Sequence, residues 1–198
     1  MPDAIIFDTE FTSWEGAMAR KWSGPNEYRE LVQIGAVRID ANSLEVLETF
    51  EILTKPVRNP QLSAYFIGLT GIRQDQLDAN GLDFETGLAQ FMQFIGGLPP
   101  WSYGGDVSVL AENMQLNGMP VPADWPTIEA TNLVPWFHKH APQTKGINSG
   151  RLASTLGVPL KITEHTGLGD SLSILAAIKE LMRQGASSPF TVGQGAGG

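Results

Sequence analysis

Asp8 and Glu10 stand two residues apart at the end of the apolar run Ile5-Ile6-Phe7. Successive side chains of a strand alternate faces, so both carboxylates project to the same side. Like charges held that close repel, and an apolar setting makes ionising either one costlier. A shared proton would relieve the repulsion. So would a hard divalent cation, which prefers carboxylate oxygens as ligands. As a solvated strand edge, the pair would carry no chemistry at all. Two further aspartates come much later. Asp106 follows Tyr103-Gly104-Gly105, where extended chain gives way to helical spacing, and Asp170 opens the last helical stretch, five residues after His165. Either aspartate could instead cap its helix, a frequent use of Asp, and a loop histidine could simply face solvent. The flexible Thr166-Gly167-Leu168-Gly169 between them lets His165 hang over a site that Asp170 helps to build.

The elements that must position these groups follow from the apolar spacing. Residues 3–8 read as a first strand, Leu31 to Ile39 as a largely buried second, and Leu44 to Leu53 as a third, antiparallel across Asp40-Ala41-Asn42-Ser43. Between the first two lies a polar stretch, 11–30, long for a strand connection and therefore a candidate for function. A short helical region opens at Asn59-Pro60 and turns at Leu69-Thr70-Gly71-Ile72. Asp83 to Ile95 has helical spacing, with Asp83 as N-cap and Gly96-Gly97 as its end. Trp101 to Gly105 predicts a short strand, Asp106 to Asn117 a helix, Thr127 to Val134 a further strand, Gly146 to Leu156 a helix, and Asp170 to Arg183 the last helix. A three-stranded antiparallel meander followed by alternating strands and helices predicts an α/β fold, a mixed five-stranded sheet flanked by helices. The expected domain covers residues 1–184. The Gly-rich tail, 185–198, is expected to be disordered.

Composition narrows the chemistry. The chain has 198 residues, 42% hydrophobic and 17% charged, enough for one domain with a sizeable core. No apolar run approaches the length of a membrane span, so a cytoplasmic protein without a membrane partner is expected. There is no cysteine, so disulfides and thiolate metal sites are excluded. A metal would have to sit on Asp, Glu, His or backbone oxygen, a donor set that favours Mg²⁺ or Mn²⁺ over Zn²⁺. The net charge of −8 argues against broad electrostatic coating of nucleic acid. It leaves room for a small site where bound cations and a few basic side chains reverse the local sign.

Taken together, Asp8-Thr9-Glu10, then Asp106 followed by Leu110, then His165 and Asp170 in an H-x-x-x-x-D arrangement resemble the three motifs of the DEDDh family of 3′–5′ exonucleases. The resemblance covers residues 3–183. Gln33-Ile34-Gly35-Ala36, Leu69-Thr70-Gly71-Ile72 and Ser102-Tyr103-Gly104 look like the branch of small exonucleases that trim RNA 3′ ends. Two features depart from the family pattern: the longer 11–30 stretch, and two glycines before Asp106 where many relatives carry a bulky residue. The resemblance implies an RNase H-like fold and phosphodiester hydrolysis with two Mg²⁺ ions about 4 Å apart, Mn²⁺ substituting. By analogy Asp8 would bridge the ions, Glu10 and Asp170 would hold the one that activates water, and Asp106 would support the other. His165 would be the general base, since an imidazole ordinarily titrates near neutral pH. The implied partner is a single-stranded nucleic acid 3′ end, RNA favoured over DNA, and the product a nucleoside 5′-monophosphate.

Side chains that could grip the terminal nucleotide are Phe11, directly after the acid pair, Leu69, Ile72 and Tyr103. Stacking on such groups contributes roughly 1–3 kcal/mol per base and tolerates any sequence. Trp14 and Trp22 could line the approach, and Arg20, Lys21 and Arg29 could meet phosphates. His138-Lys139-His140 lacks a third ligand nearby and reads as surface or a minor phosphate contact. Two other functions remain open. A haloacid dehalogenase-type phosphatase would use Asp8 as nucleophile, but it would want Asp at position 10 and an acid where Ile174 stands. The other alternative is a catalytically weak binding scaffold of the same fold.

Overall fold

A computed structural model describes residues 3–190. Its centre is a mixed sheet of β1 (Asp3–Phe11), β2 (Leu31–Asp40), β3 (Val46–Leu53) and β4 (Pro100–Trp101), in the order β3-β2-β1-β4. β1, β2 and β3 form the expected antiparallel meander, and β4 joins β1 in parallel through Ile5↔Pro100 and Ile6↔Trp101. Between β3 and β4 come α1 (Ala64–Thr70), α2 (Gln74–Asn80) and α3 (Phe84–Ile95). After β4 follow α4 (Asp106–Leu116), α5 (Ile128–Thr131), α6 (Val134–His140), α7 (Leu152–Thr155) and α8 (Gly167–Arg183).

Alternation along the strands decides what each face buries. Ala4 and Ile6 of β1 and Val37 and Ile39 of β2 pack against Ile174, Ala177, Ile178 and Leu181 of α8. Ile5 and Phe7 point the other way, to Phe84, Leu88 and Phe91 of α3 and Leu110 and Met114 of α4. Each fully buried Val, Ile, Leu, Phe or Met among them contributes about 1.5–3 kcal/mol. Smaller still is the third cluster, Val32, Leu62, Phe66, Ile72 and Leu77, beneath α1 and α2.

Three expectations need correction. The sheet has four strands among the described residues, not five. Where 127–134 was to be a strand, Ile128 to Thr131 is a helical turn, and only Asn132 touches the sheet, in an isolated parallel bridge to Ser102. Thr127 O and Ile128 O accept from the amides of Ala130 (3.1 Å) and Asn132 (2.9 Å), so these backbone groups close a helical turn instead of a ladder. The helix expected over 146–156 is broken into a 3₁₀ turn, Ser149–Arg151, and the short α7. Finally, the tail expected to be disordered from Gly185 is packed in its described part: Trp136 Nε1 donates to Ser187 O (3.0 Å), and the Phe190 ring meets Trp101 edge-on. The rest of that tail, 191–198, lies outside the described residues.

Candidate active site

The facing rule of β1 also assembles the acids. Asp8 and Glu10 continue the Ala4–Ile6 side, which is the α8 side, and Asp170 projects there from the first turn of α8. Asp170 is 2% exposed and does not cap the helix, because Thr166 does, accepting from Gly169 N. Instead Asp170 accepts a bond from the backbone N–H of His165 (3.0 Å) and another from the Ser149 hydroxyl (2.9 Å). Thr9 points to the opposite face, where α4 begins. Its hydroxyl (2.7 Å) and its amide (3.1 Å) both donate to Oδ1 of Asp106, so this carboxylate is tied to β1 rather than capping its own helix. One strand thereby reaches both aspartates, each from its own side.

The close fit of α8 onto β2 depends on Gly35. A Cβ there would lie 1.8 Å from the amide nitrogen of Leu168, so only glycine lets the helix start come down on the sheet. Gln33 Oε1 accepts from Gly167 N (2.8 Å) and the Ser171 hydroxyl donates to Gly35 O (3.0 Å), pinning the turn that carries His165. His165 itself adopts the left-handed region, φ 59°, a conformation that costs most residues energy and is held here by its bond to Asp170.

Around these groups lies a cleft of about 530 Å³ that contains Asp8, Glu10, Asp106, His165 and Asp170 on its walls. Phe11, Leu69 and Tyr103 line it. A register shift between Glu10 and Phe11 breaks the regular alternation and re-aims the Phe11 ring. Tyr103 presents its ring while its hydroxyl donates to Thr144 O (3.1 Å). Ile72 is the exception. It is 6% exposed and belongs to the small core under α1 and α2, because Gly71 turns the chain inward after that helix. Trp22 and Arg29 line the cleft, whereas Trp14, Arg20 and Lys21 do not, and Arg20 pairs with Glu27. His138 and His140 lie in the last turn of α6, where His140 packs against Trp136. Tyr65, Met18 and Ser149 were not anticipated. Tyr65 had a signal, since it stands four residues before Leu69 and so shares its helix face. Ser149 had none, because its partner lies 21 residues away.

Electrostatics single out the cluster. Burial, then the charges of Asp106, Asp170 and Glu10, push the Asp8 carboxyl well above the usual range. Glu10 is pushed up to about 8 by burial and then by Asp170 and Asp106. Asp106 and Asp170 are raised by burial too, against the bonds from Thr9 and Ser149 that lower them. Among the described residues no Lys or Arg forms an ion pair with any of the four. Four buried carboxylates with no ion-pair partner among the described residues fit a site for hard divalent metal. Glu10, His165 and Asp170 each offer a ligand atom, all within 4.8 Å of one another.

A consequence for stability follows with a definite sign. The folded state retains a proton on Glu10 that the unfolded chain has already released, so folding is favoured less as pH rises from 4.5 to about 8. In chelator the melting temperature should fall across that window by about 4 °C or more, since each kcal/mol moves a chain of this size by about 2–4 °C. Added divalent cation should flatten the fall. A midpoint rising with pH in chelator would contradict the raised carboxylates.

Comparison with known proteins agrees with this geometry. The family profile described as "Exonuclease" matches residues 5–178. The chain is 40% identical over 74 residues to the rat protein named 3'-5' exoribonuclease 1, a match covering 37% of this chain and only 19% of that one. It is 23% identical over 215 residues to the 3'-5' exonuclease Snipper of Drosophila melanogaster, covering 94% of this chain and 72% of that one. Among solved structures, the nuclease domain of 3'hExo, described as a DEDDh family member bound to rAMP, superposes with a TM-score of 0.72 at 26% identity, covering 93% of each chain.

Proposed function

The chain belongs to the exonuclease family, as a DEDDh-type member, and on that premise we propose that it hydrolyses phosphodiester bonds from the 3′ end of a single-stranded nucleic acid, releasing nucleoside 5′-monophosphates. The observation that carries this reading is the convergence of Asp8, Glu10, Asp106, Asp170 and His165 in one cleft at the end of β1. Asp8, Glu10, Asp106 and Asp170 would hold the metal, two Mg²⁺ ions with Mn²⁺ able to substitute. When bound, such ions neutralise the clustered carboxylates and stabilise charge that develops on the phosphate and on the leaving 3′ oxygen.

The chain's own residues do the rest. His165 has a ring nitrogen beside the ligand atoms of Glu10 and Asp170, a position from which it takes the proton of the attacking water. The bond from its backbone to Asp170 keeps the imidazole on that side of the cleft. Thr9 orients Asp106. Phe11, Leu69 and Tyr103, joined by Tyr65, form the apolar wall on which the terminal base and sugar stack. RNA is the favoured substrate, by likeness to proteins named exoribonucleases. We assign the exonuclease domain to residues 1–184 together with the packed segment that reaches Phe190, and propose a cytoplasmic setting.

Matched RNA and DNA strands labelled at the 5′ end test this directly. A ladder that shortens from the 3′ end, needs divalent metal and runs faster on RNA is expected. Intact strand held tightly would mean a binding scaffold. Inorganic phosphate released from small phosphoesters would mean a phosphatase, a reading already weakened by Ile174, which lies fully buried in the core where that class needs an acid.

A further inference from the structure

Beside the active-site cleft, on the far side of Trp22 and Arg29, lies a second groove of about 640 Å³. The two share a wall. The Arg29 guanidinium lies 5.7 Å from the ring centres of both Phe11 and Trp22, those rings meet edge-on at 5.4 Å, and Glu112 of α4 fixes the guanidinium by an ion pair. The groove's other walls come from the long 11–30 connection and from Arg58, whose guanidinium stacks on the Tyr28 ring at 4.6 Å.

The charge of this groove runs against that of the chain. The net charge is −8, yet Lys21, Arg29 and Arg58 meet here. The groove's two acids are already matched, Glu27 by Arg20 and Glu112 by Arg29. Lys21 and Arg58 form no ion pair among the described residues, so their charge is left for a ligand.

The groove is built rather than floppy. Buried Glu30 accepts from the amides of Val57, Arg58 and Asn59 at 2.7–2.8 Å, which clamps the Arg58 segment to the end of the long connection. Trp22 Nε1 donates to Thr12 O (3.1 Å), and the Thr12 hydroxyl reaches Tyr28 O. Lys21 and Trp22 are both held left-handed, at φ 54° and 53°. That backbone is costly for a bulky residue and persists only where surrounding contacts impose it, as at ligand-binding sites.

We propose that this groove receives the nucleotides immediately 5′ of the scissile end, with Lys21 and Arg58 on backbone phosphates and the Tyr28 and Trp22 rings beside the bases. Unpaired cations beside aromatic rings are the general means of holding a single strand without reading its sequence. The inference rests on the exonuclease reading and adds a length preference to it: strands long enough to cross the shared wall bind better than a dinucleotide, which fills only the cleft.

Arg58→Glu and Lys21→Ala test it, since both side chains are exposed and neither supports the core. In chelator, where no turnover occurs, binding of 5′-fluorescein strands of about two and about eight nucleotides is followed by anisotropy over a salt series. The variants should weaken the longer strand about tenfold and reduce its salt slope by about 0.7 for each lost phosphate contact. With metal, dinucleotide hydrolysis should stay unchanged. Unaltered affinity for the longer strand, or equal loss on both lengths, overturns the groove while wild-type degradation leaves the exonuclease reading standing. If wild-type protein neither binds nor degrades either strand, and an acidic peptide binds the groove instead, both readings fall together.

Discussion

Asp8→Ala should abolish turnover and, in the same protein, raise the melting temperature of the metal-free form. Asp8 sits at the centre of the acidic cluster, with Asp106, Asp170 and Glu10 all opposing its ionisation. Removing it takes away one of the four carboxylates that would hold the proposed metal. Metal-borne charge stabilisation amounts to several kcal/mol, and each 1.4 kcal/mol is a factor of ten, so the rate should fall by about 10³-fold or more. Without metal, the same carboxylate is a burden. Its loss relieves the neighbours, and the midpoint in chelator near pH 8 should rise by about 2–4 °C, the shift that ~1 kcal/mol produces in a chain of this size. The stabilisation given by added divalent cation should shrink in parallel. Retained activity would remove Asp8 from the metal site. A lower midpoint in chelator would make it a structural residue instead.

His165→Asn should lower kcat by about 10²–10⁴-fold, the usual worth of a positioned general base. Asparagine is chosen because it tolerates the left-handed backbone at φ 59° and keeps the backbone N–H that Asp170 accepts. The site's scaffolding then survives, and only the imidazole is lost. KM should change little. Equal losses in affinity and in kcat would make His165 a substrate contact rather than a base. The two substitutions separate two parts of one machine. Asp8→Ala should abolish the stabilisation by metal, and His165→Asn should leave most of it.

Much of this site was legible in the chain because its logic is local. The two-residue spacing of Asp8 and Glu10 places them on one face of any strand, whatever the rest of the fold does. The five-residue step from His165 to Asp170 is short enough for one turn to bring them together, and it does so through a backbone bond that a sequence can suggest but not show. The β1–β2–β3 meander followed from apolar alternation and from the turn at Asp40 to Ser43. The N-cap at Asp83 and the left-handed stop at Gly96 were equally local.

Other features depended on contacts between distant segments. Ile72 and Leu69 are alike in type and only three apart, yet one is core and the other lines the cleft, because Gly71 reverses the chain between them. The strand expected over 127–134 had suitable residues, but the Ala130 and Asn132 amides bond back to Thr127 and Ile128, and the sheet kept only the Asn132 bridge. Ser187 and Phe190 looked like tail until Trp136 and Trp101 gave them partners. By itself, then, the sequence determined the chemistry at the end of β1: paired acids, a histidine at a fixed step from an aspartate, and no sulfur ligand. Tertiary structure alone decided the attachment of Asp106 to Thr9 across 97 residues, the support of Asp170 by Ser149, and the basic groove behind Trp22. The physical reason is range. Side-chain direction within one element follows from backbone periodicity, whereas a hydrogen bond or a shared wall between elements exists only once packing has brought them within a few ångströms.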